Sequence, residues 1–385
     1  MDLINQKTKD MEQGAIREMF DRASAMEDVI SLGIGEPDIH TDDSICRAAY
    51  VAMLEGYTHY TPNAGIIQLR SAIANETYLK GAHYDPATEV IVTCGGAGAI
   101  STLMAVIIDP GDEVLIQDPQ WFNYVSQVEY YGGKAIRVPA YAENGFELDA
   151  KTISHDITEK TKALMINSPN NPTGRVISYE TAREISHLAV ERDFMVISDD
   201  VYNSLLYTGE DPFCIAEMPG MKERTVIIGS FSKSYAMTGW RIGYAAGPAE
   251  VIDRMTKCQE IFTACASSMG QWAAVYALKN PQIAEKIKDI FDRRRRLIMS
   301  ELSKIDGLRF AEPQGAFYVF ADISAFGLSD TEFCNKLLDE EHVVCIPGSP
   351  FGEQGRGCIR IAYTIEEEKL VEAVGRIKAF CDRLR

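Results

Sequence analysis

Lys233 stands in Ser230-Phe-Ser-Lys-Ser-Tyr235, framed by hydroxyls at Ser230, Ser232 and Ser234 and followed eight residues later by Arg241. The apolar run 225–229 precedes it, so the amine lies where a buried strand ends, in position to serve as a nucleophile. An isolated lysine there would simply be leaving the sheet for water, but other strand ends bring matching groups. After 91–93 comes Cys94-Gly-Gly-Ala-Gly98 and then a helical pattern. Small residues at such a turn expose amide N–H groups at a positive helix end, a cradle for phosphate, without the Gly-Lys-Ser/Thr ending of a nucleotide-triphosphate loop. After 162–168 comes Pro169-Asn-Asn-Pro-Thr-Gly174, a rigid turn that presents Asn171. After 194–198 comes Asp199-Asp-Val-Tyr202. Asp199 continues the apolar run, and a buried carboxylate needs a cation or several donors; alone it would read as a helix N-cap.

Taken together these residues supply a phosphate cradle with an arginine, a carboxylate for a cationic ring nitrogen, a phenol for a ring oxygen and an amine to condense with an aldehyde. Those are the needs of pyridoxal phosphate.

The elements that must position them alternate. Strand candidates fall at 89–93, 113–118, 135–138, 163–167, 194–198, 225–229 and 241–246, with helical patterns at 98–108, 121–131, 178–192 and 249–259. That alternation predicts an α/β fold with a mostly parallel seven-stranded sheet covered by helices, with ligands beyond the carboxyl ends of the strands. Upstream, Ile16, Met19, Phe20 and Ala23 fall at helical spacing. A strand over 29–35 breaks at Glu36-Pro-Asp38, and helices over 42–55 and 66–80 flank the loop His59-Tyr-Thr-Pro-Asn-Ala-Gly65. After residue 280 the pattern becomes α+β: a long charged helix, strands at 316–320 and 358–361, a helix at 331–341 and a closing helix. The expected partition is an N-terminal segment, 1–45, contributing to a small domain; a large cofactor-binding domain, 46–280; and the small domain proper, 281–385.

A net charge of −18 over 385 residues argues against a nucleic-acid or anionic membrane partner, and Arg293-Arg-Arg-Arg296 reads as a solvated helix face. Nine scattered cysteines without CxxC pairs or neighbouring histidines suggest reduced thiols and no metal. The N-terminus shows no signal-like apolar region and no later stretch is long enough to span a bilayer. A cytoplasmic location is expected.

Six motifs in this order, SLGIGEPD, HYTPNAG, SPNNPTG, SDDVY, SFSKSYAMTGWRIGY and CIRIAY, resemble the class I and II aminotransferases of fold type I, especially bacterial and archaeal aspartate and aromatic amino-acid enzymes. The resemblance runs from about residue 12 to the end. It implies that Lys233 forms the Schiff base with the cofactor, that Asp199 pairs with the pyridinium nitrogen, and that Tyr202 and Asn171 hydrogen-bond the ring oxygen. Gly95, Gly96, Ala97, Ser230, Ser232 and Arg241 would hold the phosphate, Trp121 would stack on the ring, and Arg360 would grip the substrate carboxylate. Ile34 and Gly35 belong to the segment that closes over substrate. Tyr60 would reach the neighbouring subunit's phosphate, which implies a homodimer with shared sites.

The chemistry so implied is ping-pong transfer of an amino group between an L-amino acid and a 2-oxo acid, with the displaced Lys233 amine moving the substrate's α-proton. Ala97 and Gly98 in the phosphate loop and Ser267-Ser-Met-Gly270 later supply no second cation for a dicarboxylate. The expected specificity is therefore broad or aromatic, with aspartate and glutamate open. The same lysine would also serve a C–S β-lyase. A non-enzymatic ligand sensor is disfavoured, because only about a dozen residues precede the region of resemblance, too few for a helix-turn-helix domain.

Overall fold

The structure, a computed structural model, describes residues 3–5, 8, 15–210 and 212–385. In chain order its strands are β1 (Ile30–Ser31), β2 (Val90–Thr93), β3 (Glu113–Asp118), β4 (Lys134–Pro139), β5 (Thr161–Asn167), β6 (Met195–Asp199), β7 (Thr225–Ser230), β8 (Gly243–Ala246), β9 (Arg309–Phe310), β10 (Tyr318–Asp322), β11 (Val343–Val344), β12 (Ile346–Pro347) and β13 (Cys358–Ala362).

Seven of them form one sheet in the order β2-β8-β7-β6-β5-β3-β4. Strands β3 to β7 are parallel, and β8 runs antiparallel to both β2 and β7. The apolar runs are continuous because both faces are covered. Leu115, Leu164, Ile166, Val196 and Ile227 belong to one core layer. Their neighbours Val114, Ile116, Ala163, Met165, Ile197, Val226 and Ile228 belong to the layer on the other face.

The single reversed strand decides where the site forms. Because β8 is antiparallel, its start lies at the edge where β2 and β7 end, with Gly243 opposite both Thr93 and Ser230. This brings Arg241, the turn after β2 and the turn after β7 to one place. A Cβ on Gly243 would lie 2.5 Å from the carbonyl carbon of Gly95, so only glycine permits the approach. One strand over, β5 and β6 finish level, Asn167 opposite Asp199.

Beyond residue 300, β12, β13, β10 and β9 form a four-stranded antiparallel sheet. The helix Asp330–Glu341 beside it is started by a capping box in which Ser329 and Glu332 satisfy each other's backbone N–H groups. Near the N-terminus β1 pairs in parallel with β11, stitching the start of the chain to this later layer.

All seven strands expected for the large sheet are present, and several boundaries differ. The strand expected over 29–35 is only Ile30–Ser31: Leu32 still exchanges main-chain hydrogen bonds with Val344 and Ala362, and among the described residues 33–35 make none. The helix expected over 66–80 ends at Ala74, where Asn75 caps it through its backbone N–H. The last strand of the sheet starts at Gly243, since Arg241 takes a left-handed conformation with φ of 55°. The N-terminal helix spans Ala15–Ser24, although the Ile16 side chain lies outside the described residues.

The four-arginine run requires a correction. It lies on the helix Gln282–Leu302, where Arg294 and Arg295 are buried and paired and only their neighbours face water. Arg294 grips Asp38 through two hydrogen bonds of 2.6 and 2.9 Å. Arg295 holds Asp292 and Glu312. A helix that packs on two sides needs more than one polar face, and charge composition alone does not show that.

Candidate active site

A cleft of about 580 Å³ opens at the carboxyl edge of the sheet. Its walls include Ile34, Gly35, Gly96, Ala97, Trp121, Asn171, Asp199, Tyr202, Ser230, Ser232, Lys233, Arg241 and Arg360, residues spread over more than three hundred positions of sequence.

Lys233 sits in a single helical turn, Phe231–Ser234, whose N-cap Ser230 accepts a hydrogen bond from the amide of Ser232. Its amine donates to the carbonyl of Gly35 at 2.6 Å and lies 5.8 Å from the centre of the Phe317 ring. Burial lowers its pKa from 10.5 to about 8; Glu36 and Asp199 oppose that shift, and Arg360 and Arg241 add to it.

Asp199 is buried at the end of β6. Its carboxylate accepts a hydrogen bond from the Tyr124 hydroxyl and another, of 3.3 Å, from the amide of Val201. Burial raises its pKa to about 6, and these two donors and Lys233 limit the rise. The carboxylate is thus poised to ionise against a cation placed in the cleft. Tyr202 shares a 2.8 Å hydrogen bond with Tyr318, and burial first, then Tyr318, holds its phenol protonated well above the ordinary range.

At the other end the helix Gly95–Ile107 begins just after β2, and Gly96 and Ala97 of its first turn, where a helix's amides lack intrahelical acceptors, line the cleft. Gly95 has φ of 78°, and a Cβ there would come within 2.5 Å of Arg241 Nη2. Arg241 donates from Nη1 to the carbonyl of Thr238 at 2.9 Å. Amides, serine hydroxyls and a guanidinium that has no carboxylate partner among the described residues form an anion cradle.

Arg360 projects from β13 and is buried. It donates to Asn171 Oδ1 at 2.9 Å and to the carbonyl of Gly33 at 2.6 Å, while among the described residues its Nε has no partner. The guanidinium lies over the rings of Tyr318, 4.6 Å, and Phe351, 5.1 Å. A buried arginine without a carboxylate is a site that wants one.

Two residues named from sequence lie elsewhere. Gly95 stands behind the cleft wall, shaping it through Arg241. Tyr60 is 88 % exposed and does not line this chain's cleft. Conversely, Tyr124, Tyr318, Asn167, Phe20, Glu36 and Thr238 line the cleft with no role assigned to them from sequence; Glu36 and Thr238 stand inside the motifs SLGIGEPD and SFSKSYAMTGWRIGY, the other four outside the six motifs. Tyr124 and Phe122 follow Trp121 closely enough for an apolar wall to be read; the hydrogen bond to Asp199 is not.

The family model for aminotransferase class I and II matches residues 27–377. The chain belongs to that family. It is a pyridoxal-phosphate-dependent transferase that moves amino groups between amino acids and 2-oxo acids. It is 42 % identical over 368 residues to aromatic-amino-acid aminotransferase 2 of Thermococcus litoralis, covering 94 % of each chain. It is 41 % identical over 382 residues to the aspartate aminotransferase of Pyrococcus abyssi, covering 98 % of this chain and 96 % of that one. The structure of Thermus thermophilus aspartate aminotransferase with maleate superposes with a TM-score of 0.93 at 36 % identity, covering 98 % of this chain and all of the other. The cleft fits the family's cofactor on its own terms. It offers an anion cradle that a side chain at Gly95 would fill, an amine whose pKa burial has lowered, and a buried carboxylate with few donors.

Proposed function

We propose that Lys233 is the amine that bonds the cofactor's aldehyde and then moves the substrate's α-proton, and that the other site residues divide the remaining work. Asp199 faces the ring nitrogen, Tyr202 and Asn171 the ring oxygen, and Trp121 the ring plane. Gly95, Gly96, Ala97, Ser230, Ser232 and Arg241 surround the phosphate. Arg360, with Asn171, Ile34 and Gly35, receives the substrate's carboxylate. The observation that carries this reading is the meeting in one cleft of Asp199 from the end of β6, Lys233 from the turn after β7, Arg241 from just before β8 and Arg360 from the middle of β13.

When bound, pyridoxal phosphate supplies an electron sink for the pair left behind as the α-proton departs. Arg360 orients the substrate as a two-pronged fork, which selects the α-carboxylate and fixes the α-carbon. Lys233, with its lowered pKa, supplies a neutral amine near pH 8 to accept the proton. Ionised Asp199, held by Tyr124, keeps a positive ring nitrogen in place.

The substrate reading is broad to aromatic amino acids with a 2-oxo acid acceptor, glutamate and 2-oxoglutarate forming a plausible second pair. Phe20, Ile34, Trp121, Phe122 and Tyr318 wall the cleft, and its three cations, Lys233, Arg241 and Arg360, each have a role already. The relatives' names point to both aromatic amino acids and aspartate. A homodimer agrees with the exposed Tyr50, Val51, Leu54, Tyr57, Ile261 and Phe262, and with Tyr60 turned away from its own cleft. A cytoplasmic location agrees with nine free cysteines, and no helix among the described residues is long and apolar enough to cross a membrane. The partition into 1–45, 46–280 and 281–385 agrees with the two sheets and with the β1–β11 pairing.

The test is a half-reaction screen. The holoenzyme is mixed with single amino acids, and conversion of the aldehyde form of the cofactor to the amine form is followed by absorbance. Phenylalanine or tyrosine should convert it at least as well as aspartate. Conversion by aspartate alone would refute the substrate reading.

A further inference from the structure

The segment 33–41 runs directly over the cleft, and its tethers are unusual. Among the described residues no main-chain to main-chain hydrogen bond involves any residue from Gly33 to Thr41. The last such bonds before it are at Leu32, to Val344 and Ala362. Everything that holds the segment against the rest of the molecule is a side chain.

Those side chains fall into two groups. Arg360 donates to the carbonyl of Gly33 and Lys233 to that of Gly35, each at 2.6 Å. Both belong to the reacting machinery, so their hydrogen bonds are redirected whenever substrate arrives or the amine changes partner. Within 33–38 three further contacts with distant residues involve no reacting group, while at the far end Thr41 donates to the carbonyl of Ala236 and accepts from Trp240 Nε1 and, at its carbonyl, from Cys46 Sγ. Thr364 donates to the carbonyl of Ile34 at 2.9 Å, Thr238 donates to the Glu36 carboxylate, and Arg294 holds Asp38 with both nitrogens of its fork.

Of these three, the Arg294–Asp38 pair is the one built to bear a directional load. It is bidentate, and the arginine side chain is 8 % exposed and the aspartate 27 %. The guanidinium is steadied by the Phe291 ring, 5.6 Å away, on the same helix. A planar fork on a planar carboxylate fixes position and angle together, which a single hydroxyl contact does not. The arginine stands on the twenty-one-residue helix Gln282–Leu302, among the longest rigid elements of the fold. Burying a charge pair is costly, and the net gain in stability over an apolar pair is small. Holding one loop at one height is what such a pair does better than an apolar contact.

We propose that Arg294 is a positioning residue of the active site: through Asp38 it anchors the segment 33–38 at the height where the carbonyls of Gly33 and Gly35 meet Arg360 and Lys233. The inference rests on the roles given above to Lys233 and Arg360. Because the anchor is independent of the state of the reacting groups, the segment can lose and regain its inner tethers in each half-reaction and return to the same place. The consequence belongs to substrate binding. Arg294 lines neither the cleft nor the phosphate cradle, so cofactor affinity should not depend on it.

The test uses Arg294→Gln, Arg294→Lys and Asp38→Asn in the full-length enzyme. In the holoenzyme, Arg294→Gln and Asp38→Asn should each raise KM for the amino acid by about 2- to 150-fold, the range spanned by coupling within one salt-bridged network. The turnover number should change less than twofold, as should the dissociation constant for pyridoxal phosphate. The double variant should be no worse than the poorer single one, and Arg294→Lys should recover part of the loss. In the apoprotein, thermolysin should nick Arg294→Gln and Asp38→Asn before Ile34 or Ile39 at least several-fold faster than wild type, because native-state proteolysis follows local opening. Should Arg294→Gln fail to fold, Asp38→Asn carries the test, since it keeps the aspartate's shape. Unchanged KM in a folded variant would overturn the proposal, whatever happens to its melting temperature. So would a uniform fall in turnover and cofactor affinity, which would mark a general brace. The proteolysis arm does not involve Lys233 chemistry, so normal transamination by Lys233→Ala would fault the lysine assignment and leave the anchor standing.

Discussion

The lowered pKa of Lys233 makes a quantitative claim that can be measured without turnover. An ordinary lysine titrates at 10.5, and this one at about 8, chiefly because burial disfavours its charge. At pH 7 the neutral fraction is then about one tenth, against roughly three in ten thousand for an unperturbed lysine, a ratio of about 300. Trace acetic anhydride labels only neutral amines, so peptide mass spectrometry of the apoprotein between pH 6 and 11 reads the titration of Lys233 directly. Its labelling should rise with a midpoint near 8, well below the 10.5 of a lysine in an unstructured reference peptide. Glu36→Gln should move the midpoint lower, because Glu36, ahead of Asp199, is the charge that most holds the pKa up. The linkage has a definite sign. Between pH 8 and 10.5 the unfolded chain binds the proton that the folded chain has lost, so this group makes the apoprotein more stable as pH rises through that window. A midpoint at the reference peptide's 10.5 would refute the reasoning.

Three further outcomes follow from neighbouring groups. Gly95→Ala places a side chain in a left-handed conformation that costs about 1–2 kcal/mol and pushes Arg241 from the cradle; cofactor binding should weaken roughly tenfold or more, measured by titration of the apoprotein. Tyr124→Phe removes a donor that favours ionised Asp199, so the acid limb of the kcat–pH profile should move towards neutrality and turnover at pH 7 should fall roughly tenfold. An unmoved limb would count against the role of Asp199. Asp200, buried and hydrogen-bonded by Tyr78 and Ser198, has its pKa raised to about 7 by burial. Since the folded value lies above the unfolded 3.8, the group destabilises increasingly as pH rises from 4 to 7 and fully above that. Asp200→Asn should therefore gain on wild type by an amount on the order of 2–4 kcal/mol between pH 4 and 8, read from paired melting curves.

Much of the fold and of the site was legible in the sequence, for reasons that particular residues show. Strands buried on both faces leave unbroken apolar runs, and the residue after each run marks the edge where ligands bind. Lys233, Asp199 and the Gly95 turn were visible for that reason. Tyr124 was not, because its function lies in a hydroxyl that meets Asp199 across the sheet edge, and a tyrosine on a half-buried helix shows the same pattern when it is only packing. The exposure of Tyr60 and the burial of Arg294 were hidden for a related cause: local spacing shows which face of an element is apolar, not which polar face a distant segment will cover. The single reversed strand β8, which brings Arg241 to Gly95, is likewise a property of topology.

The central claim is that the cofactor is carried by Lys233, and borohydride reduction of the holoenzyme followed by tryptic mapping tests it most directly. One phosphopyridoxyl group should appear, on a peptide running from Thr225 to Arg241 and uncut at Lys233, and Lys233→Ala should show no transamination. Label on any other lysine, or normal transamination by the variant, would contradict it.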